Sequence, residues 1–295
     1  VQSAQAVCTA LGIPHITFDL SRDFEEAVKE PFLDAYCRGL TPNPCVTCNR
    51  TIKFSTFIAK AAEMGCERIA TGHYVRSRGA HDTFRLLRGA DPAKDQSYFL
   101  SRVSPDCLQK ALFPIGTLPK PEVKAIAEKA GLPVAHREES QDICFIPKSC
   151  PDYLREHIST QPGDILEVHG ACIGSHDGSY LFTLGQRKGL GVALGYPAYV
   201  CAKDAQANTV TLGSREDALT NEVFLKDLNW LIQKPEGPLG CKVKLRYNME
   251  PIPCTLTPDL SGAHLSFQEP TLAPAPGQTA SLYDEDTLIC GAEIL

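Results

Sequence analysis

In the first half of the chain, apolar residues recur at helical spacing and glycines break the runs. Phe24, Ala27, Val28, Phe32 and Tyr36 lie three or four apart and predict a helix over 24–37, with Gly39 as its stop. Similar spacing predicts helices over 4–11, 54–64 and 121–130, ended by Gly12, Gly65 and Gly131. Residues 15–18 and 68–71 read as short strands, the second leading into Gly72-His73-Tyr74. Helices alternating with short strands predict a mainly parallel sheet, whose ligands bind beyond the carboxyl ends of strands. Gly72-His73-Tyr74 falls at such an end.

The texture changes near residue 150. Segments 164–173 and 179–184 predict short strands around Gly and Asp turns. Segments 198–203 and 209–212 predict a further pair joined near Asn208, and from about Asn221 the chain is strand-like to its end. Over 241–247 the alternation is strict: Cys241, Val243, Leu245 and Tyr247 face one way, Lys242, Lys244 and Arg246 the other. Short strands with Pro and Gly turns predict a small β-barrel or sandwich. Boundaries near 150 and 218 divide the chain into domains 1–150, 151–217 and 218–295.

Composition narrows the class. A chain of 295 residues that is 43% hydrophobic exceeds one small core, and two or three domains are expected. No apolar run reaches spanning length, and Val1-Gln2-Ser3-Ala4 is no signal peptide, so the expectation is a cytoplasmic protein off the membrane. The chain opens without Met and directly in helical patterning, so a missing native N-terminus is expected. The net charge of −6 leaves any nucleic-acid recognition to local basic patches. Thirteen scattered cysteines fit a reducing compartment with mostly inert thiols.

Two cysteines stand apart. Cys45 and Cys48 lie in Thr41-Pro42-Asn43-Pro44-Cys45-Val46-Thr47-Cys48-Asn49-Arg50, close enough to share chemistry. Pro42 and Pro44 predict a stiff loop there rather than a helix. Arg50 or Lys53 can supply a field that favours thiolate. Against this stand two structural thiols or half a zinc site, although no second C-x-x-C occurs. Cys144, between a polar run over 138–142 and Phe145-Ile146, reads either as core or as a loop tip beside an apolar anchor. Asp91 to Phe99 is a polar loop in which Lys94 can hold a phosphate and Asp95 and Gln96 a base or sugar edge; a solvated turn is the alternative. His73 alone reads as structural as readily as functional. Thr183 to Gly191 has two cations among glycines, which suits phosphates or an exposed hairpin tip equally. The Lys242, Lys244 and Arg246 stripe is an RNA-binding face or a solvated one.

Seven segments in order together resemble the bacterial and organellar tRNA-specific 2-thiouridylases. They are Thr41-Pro42-Asn43-Pro44; Cys48-Asn49 with Ile52-Lys53-Phe54; Ala70-Thr71-Gly72-His73-Tyr74; Lys94-Asp95-Gln96-Ser97-Tyr98-Phe99; Cys144-Phe145-Ile146; Gly185-Gln186-Arg187-Lys188-Gly189; and Pro276-Gly277-Gln278. The resemblance implies ATP-dependent replacement of O2 of the tRNA wobble uridine by sulfur. It implies an incomplete adenine-nucleotide α-hydrolase-like (Rossmann-like) domain, a small central domain and a C-terminal β-barrel. Cys144 is then the persulfide carrier and Cys48 its partner nucleophile, able to pair with it as a disulfide. Gly72 lies against the nucleotide. Asn43, Pro44, Cys45, His73, Lys94, Asp95, Gln96, Arg246, Tyr247 and Gln278 match tRNA-contacting positions. The implied partners are tRNA and a persulfide-donating carrier or cysteine desulfurase, and the implied cofactor is ATP with Mg2+.

The chain departs from that pattern twice. The family's Ser-Gly-Gly-x-Asp-Ser pyrophosphate loop is absent, so ATP binding by this chain alone is expected to be impaired, and a catalytically inactive tRNA-binding fragment is the alternative. Many relatives have Asp at Cys45. Cys45, Cys48 and Cys144 can instead ligate an iron–sulfur cluster, a second alternative.

Overall fold

The computed structural model describes residues 1–135 and 143–295. The predicted run 138–142 therefore lies outside the described residues.

The N-terminal part is mostly helical. Helix Gln2–Leu11 ends at Gly12, whose φ of 65° is the left-handed conformation that glycine adopts at no steric cost. The helix over 21–37 buries Val28, Phe32, Ala35 and Tyr36 along one face. It ends at Gly39, φ 80°, where the Leu40 N–H reaches back to Ala35 O. No strand forms over 15–18: Ile16 and Thr17 are exposed and the segment finds no pairing partner among the described residues. Apolar spacing alone cannot supply the neighbouring strand that a β conformation needs.

The parallel sheet expected for this half is two strands, β1 (Ile69–Ala70) and, further on, Ala111–Leu112, paired Ile69 to Ala111. A hairpin of β2 (Val75–Arg78) and β3 (Arg85–Arg88) follows β1, and the sequence had shown no signal for it. Ala111–Leu112 is β4. Helix Lys120–Lys129 comes next, as predicted, but buries no residue.

The central part is a four-stranded sheet of β5 (Gly163–Glu167), β6 (Cys172–His176), β7 (Tyr199–Asp204) and β8 (Thr209–Gly213), ordered β6-β5-β8-β7. Ile165, Val200, Val210 and Leu212 form its core. The predicted strand over 179–184 is instead a single tight turn, Ser179–Leu181. There the Gly178 and Ser179 N–H groups are taken by His176 Nδ1 and Asn208 Oδ1, not by a strand.

The remaining six strands close a barrel. They are β9 (Leu219–Trp230), β10 (Leu239–Lys244), β11 (Ile252–Pro258), β12 (Ala263–Leu272), β13 (Thr279–Asp284) and β14 (Thr287–Ile294). The order β13-β10-β11-β12-β9-β14 is closed by β13–β14 pairing, so no edge of the ring stays open. Val223, Leu225, Val243, Leu245, Leu256, Leu265 and Leu282 fill it.

Strand β14 also joins the barrel to the N-terminal part: Thr287 and Leu288 pair with Leu87 and Leu86 of β3. Leu231, Tyr283 and Leu288 of the barrel share one core with Phe54, Ile58, Val75, Leu86 and Leu100. The basic residues of 242–246 do not form one solvated stripe. Lys244 is buried, 6% exposed, and Arg246 half-buried; Lys242 pairs with Glu285 at 3.2 Å. Alternation along a strand states which residues share a face, not what covers it.

Candidate functional site

The cysteine segment begins a helix, against the sequence expectation. Asn43 takes an extended conformation and its Oδ1 accepts the Val46 N–H at 3.2 Å. Pro44 then occupies the first helical position, where a missing N–H costs nothing and φ is already set. The helix runs over 44–63, so Cys45 and Cys48 sit on its first turns. Over Asn49–Thr56 it winds in wide turns with five-residue back-bonds, as where the Phe57 N–H meets Ile52 O.

That winding separates the two candidate cations. Lys53 turns to the cysteines and lines one cavity with Cys45, Asn49, Gly72 and His73. Arg50 turns the other way, into the field of Arg102, Asp227 and Glu293. Burial pushes both the Cys45 and Cys48 thiols up; Lys53 opposes this at each, and a negative charge on Cys144 adds to it at each.

Cys144 is exposed, beside an anchor. Phe145 packs edge-on against Phe24, Phe32 and Tyr153, with centroids 5.4–5.7 Å apart, and Ile146 is buried. The apolar neighbours that made a core residue plausible thus hold the segment while leaving its thiol outside. Among the described residues, no group of three His, Cys, Asp or Glu side chains is placed to hold a metal ion. The three thiols as arranged do not fit the iron–sulfur alternative.

The cavity occupies about 710 Å³ beyond the end of β1, a size suited to a small ligand. His73 there bonds Thr71 Oγ1 through Nδ1 at 3.0 Å, and burial followed by the Lys53 charge pulls its pKa down to about 4. Its imidazole is neutral near pH 7. Tyr74 and Gln96 bond reciprocally: Tyr74 N–H donates to Gln96 Oε1 at 3.0 Å, and Gln96 N–H to Tyr74 O at 3.1 Å. Gly89 needs its lack of a Cβ here, since one would meet Tyr74 O at 2.5 Å. Asp95 is 3% exposed and binds Arg88, Gly89 N–H, Ser97 N–H and Ser97 Oγ at 3.0–3.1 Å, which shapes the 91–97 loop. Lys94 faces the cavity.

The barrel contributes the remaining wall. Tyr247 lies against Phe99, and Lys244 stands 5.6 Å over the Tyr247 ring. Gln278 Nε2 donates to Thr41 O at 2.8 Å, and Thr41 N–H to Pro276 O at 2.8 Å, tethering the approach to the cysteine helix. Asn43 and Pro44 line a neighbouring groove. Arg246 lies by the central domain: a Cβ on Gly185 would be 3.1 Å from its guanidinium. Arg187 and Gly189 to Ala198 line a separate surface cavity. Sequence reasoning missed Phe99, Asn49 and Lys120 as cavity residues. Phe99 and Asn49 were visible only as members of motif segments, and Lys120 lay just outside the helix predicted over 121–130.

Three family models match in order. They are described as a tRNA methyl transferase HUP domain over 1–148, a tRNA methyl transferase PRC-barrel domain over 151–214 and an aminomethyltransferase beta-barrel domain over 220–294. The tRNA-specific 2-thiouridylase MnmA of Geobacter metallireducens is 40% identical over all of this chain and 81% of its own length. Those of Syntrophotalea carbinolica and a Nostoc species are also 40% identical, over 100% and 99% of this chain and 85% of theirs. The chain belongs to the tRNA-specific 2-thiouridylase family. A 2-thiouridylase HUP domain thus carries the cysteine helix, and the barrel of the same chain closes the cavity beside it.

Proposed function

We propose that this chain catalyses ATP-dependent 2-thiolation of the wobble uridine of tRNA, with sulfur carried as a persulfide on Cys144 and Cys48 as the partner nucleophile. One observation carries the reading. An exposed thiol on an aromatic-anchored segment lies within electrostatic reach of Cys48 and of Cys45, and Cys45 lines the nucleoside-sized cavity.

ATP supplies the adenylate that turns the uridine oxygen into a leaving group. The cations Lys94 and Lys120 and the exposed backbone at Gly72 are the groups suited to hold it. Mg2+ would enter with the nucleotide. The terminal sulfur of the Cys144 persulfide attacks C2, and the C2–O bond breaks toward AMP. The Cys48 thiolate then attacks Cys144 Sγ. A Cys48–Cys144 bond forms, and the electron pair of the broken S–S bond stays with the sulfur on C2. A persulfide-donating carrier or cysteine desulfurase supplies the sulfur.

The wobble base must leave its stack to reach the cavity, and Phe99 and Tyr247 offer it an aromatic face. His73, Lys94, Gln96, Arg246 and Tyr247 are assigned to tRNA contact, Asn43, Pro44 and Cys45 to the approach, and Asp95 and Gln278 to the shape of that surface. Domains 1–150, 151–217 and 218–295 are assigned to catalysis, linkage and tRNA binding. No helix among the described residues is long and apolar enough to cross a membrane, and the free thiols favour a reducing cytoplasm.

Cys144→Ser tests the reading. It is expected to abolish 2-thiouridine formation by mass spectrometry of tRNA digests while tRNA affinity stays within about threefold, because a surface hydroxyl replaces a thiol at no packing cost. Thiolation surviving in this variant would refute the assignment, and equal loss of tRNA binding would make Cys144 structural.

A further inference from the structure

We propose that Lys53 is the positioning residue of the sulfur-release step, set one wide helical turn along from Cys48 so that its ammonium favours the attacking thiolate. The inference rests on the function proposed above and adds a residue to it.

The argument starts from helix geometry. In an ordinary α-helix, residues three and four apart share a face, and a residue five along has turned away. Lys53 follows Cys48 by five. The helix over 44–63 changes winding at Asn49–Thr56, where back-bonds reach across five residues. Such wide turns stack residues five apart and are frequent at functional sites. They put Lys53 in the cavity wall with Cys45 and His73.

The charge pattern is one-sided. Cys48 feels Lys53, Cys144 and Cys45, and Cys45 feels Cys144 and Lys53. His73 across the wall is neutral near pH 7. Lys94 and Lys120 line the same cavity. Arg50 faces Arg102, Asp227 and Glu293. Among the described residues Lys53 is a cation that acts on both thiols, and it makes no ion pair among them. Burial favours the neutral thiol, which is a poor nucleophile. The Lys53 ammonium opposes that preference without transferring a proton during the step.

The test reads Cys48 directly. Iodoacetamide labelling of the full chain between pH 6 and 10 is followed peptide by peptide in wild type, Lys53→Met and Lys53→Arg. Lys53→Met should raise the midpoint of Cys48 labelling by about 0.5–1 pH unit, the scale of one nearby charge. Lys53→Arg should restore it, and the Cys107 profile should not move. In tRNA thiolation at pH 7, Lys53→Met should lower kcat about three- to tenfold, recover toward pH 9 and leave the tRNA KM within about twofold. A Cys48 midpoint unmoved in Lys53→Met, or not restored in Lys53→Arg, overturns the proposal. Labelling needs no tRNA chemistry, so failure of the Cys144 assignment would show separately, as thiolation by Cys144→Ser.

Discussion

The Phe99 and Tyr247 rings lie with centroids 4.4 Å apart and planes inclined by 39°. One belongs to the short helix Ser97–Leu100, the other to the segment after β10, so the cavity wall is completed only when barrel and HUP domain dock. Aromatic contact stabilises such a pair by about 0.5–1.5 kcal/mol, and stacking a base on it contributes about 1–3 kcal/mol. Tyr247→Ala is expected to raise the tRNA KM about tenfold. Phe99→Ala should do the same by a smaller factor. Unchanged KM in both, by initial rates of thiolation, would remove the pair from the binding surface.

Cys45 is expected to be dispensable. Cys45→Ser should retain thiolation within about fivefold, since the proposed steps use only Cys48 and Cys144. A hundredfold loss, together with iron and sulfide in anaerobically purified protein, would restore the cluster reading.

His73 makes stability fall in mild acid. Its folded pKa of about 4 lies below the usual 6.5, so the unfolded chain takes up the proton first as pH drops. The stabilisation is full above pH 6.5 and is lost as pH falls toward 4, by at most about 3 kcal/mol. The urea midpoint of wild type should decline across that window, and that of His73→Gln should decline less. Parallel curves would show that other groups govern acid unfolding.

Tyr98 is fully buried, and its hydroxyl donates to Thr279 O at 2.9 Å. Tyr98→Phe leaves that barrel carbonyl without its partner, at a cost of about 1–3 kcal/mol. A urea midpoint equal to wild type would mean that another donor replaces the hydroxyl.

Lys242 and Lys244 should separate. Lys244→Ala is expected to lower the urea midpoint, because its stem and ammonium are packed against Tyr247 at the domain junction. Lys242→Ala should leave stability unchanged and alter the salt slope of tRNA binding by at most about one ion. Identical behaviour of the two variants would contradict their different burial.

Helices with glycine stops were legible because the period of apolar residues and the freedom of Gly12, Gly39 and Gly65 are local properties. The same holds for the alternation that foretold the barrel strands. The cysteine helix was misread because proline disfavours a helix interior but favours its first position, and only the Asn43 cap shows which applies to Pro44. The 75–88 hairpin was invisible, since its partner, β14, lies two hundred residues away. Motif chemistry named Cys48 and Cys144, but not which cation serves them.

The sequence by itself determined the helices that stop at glycine, the family and the candidate thiols, because each is encoded by neighbouring residues or by their identity. Tertiary structure alone decided that Lys53 rather than Arg50 meets the cysteines, that Lys244 is buried, and that Phe99 and Tyr247 share a wall. Those outcomes depend on helix winding and on which surfaces pack together, and both follow from the energy of the whole fold rather than from any short stretch of chain.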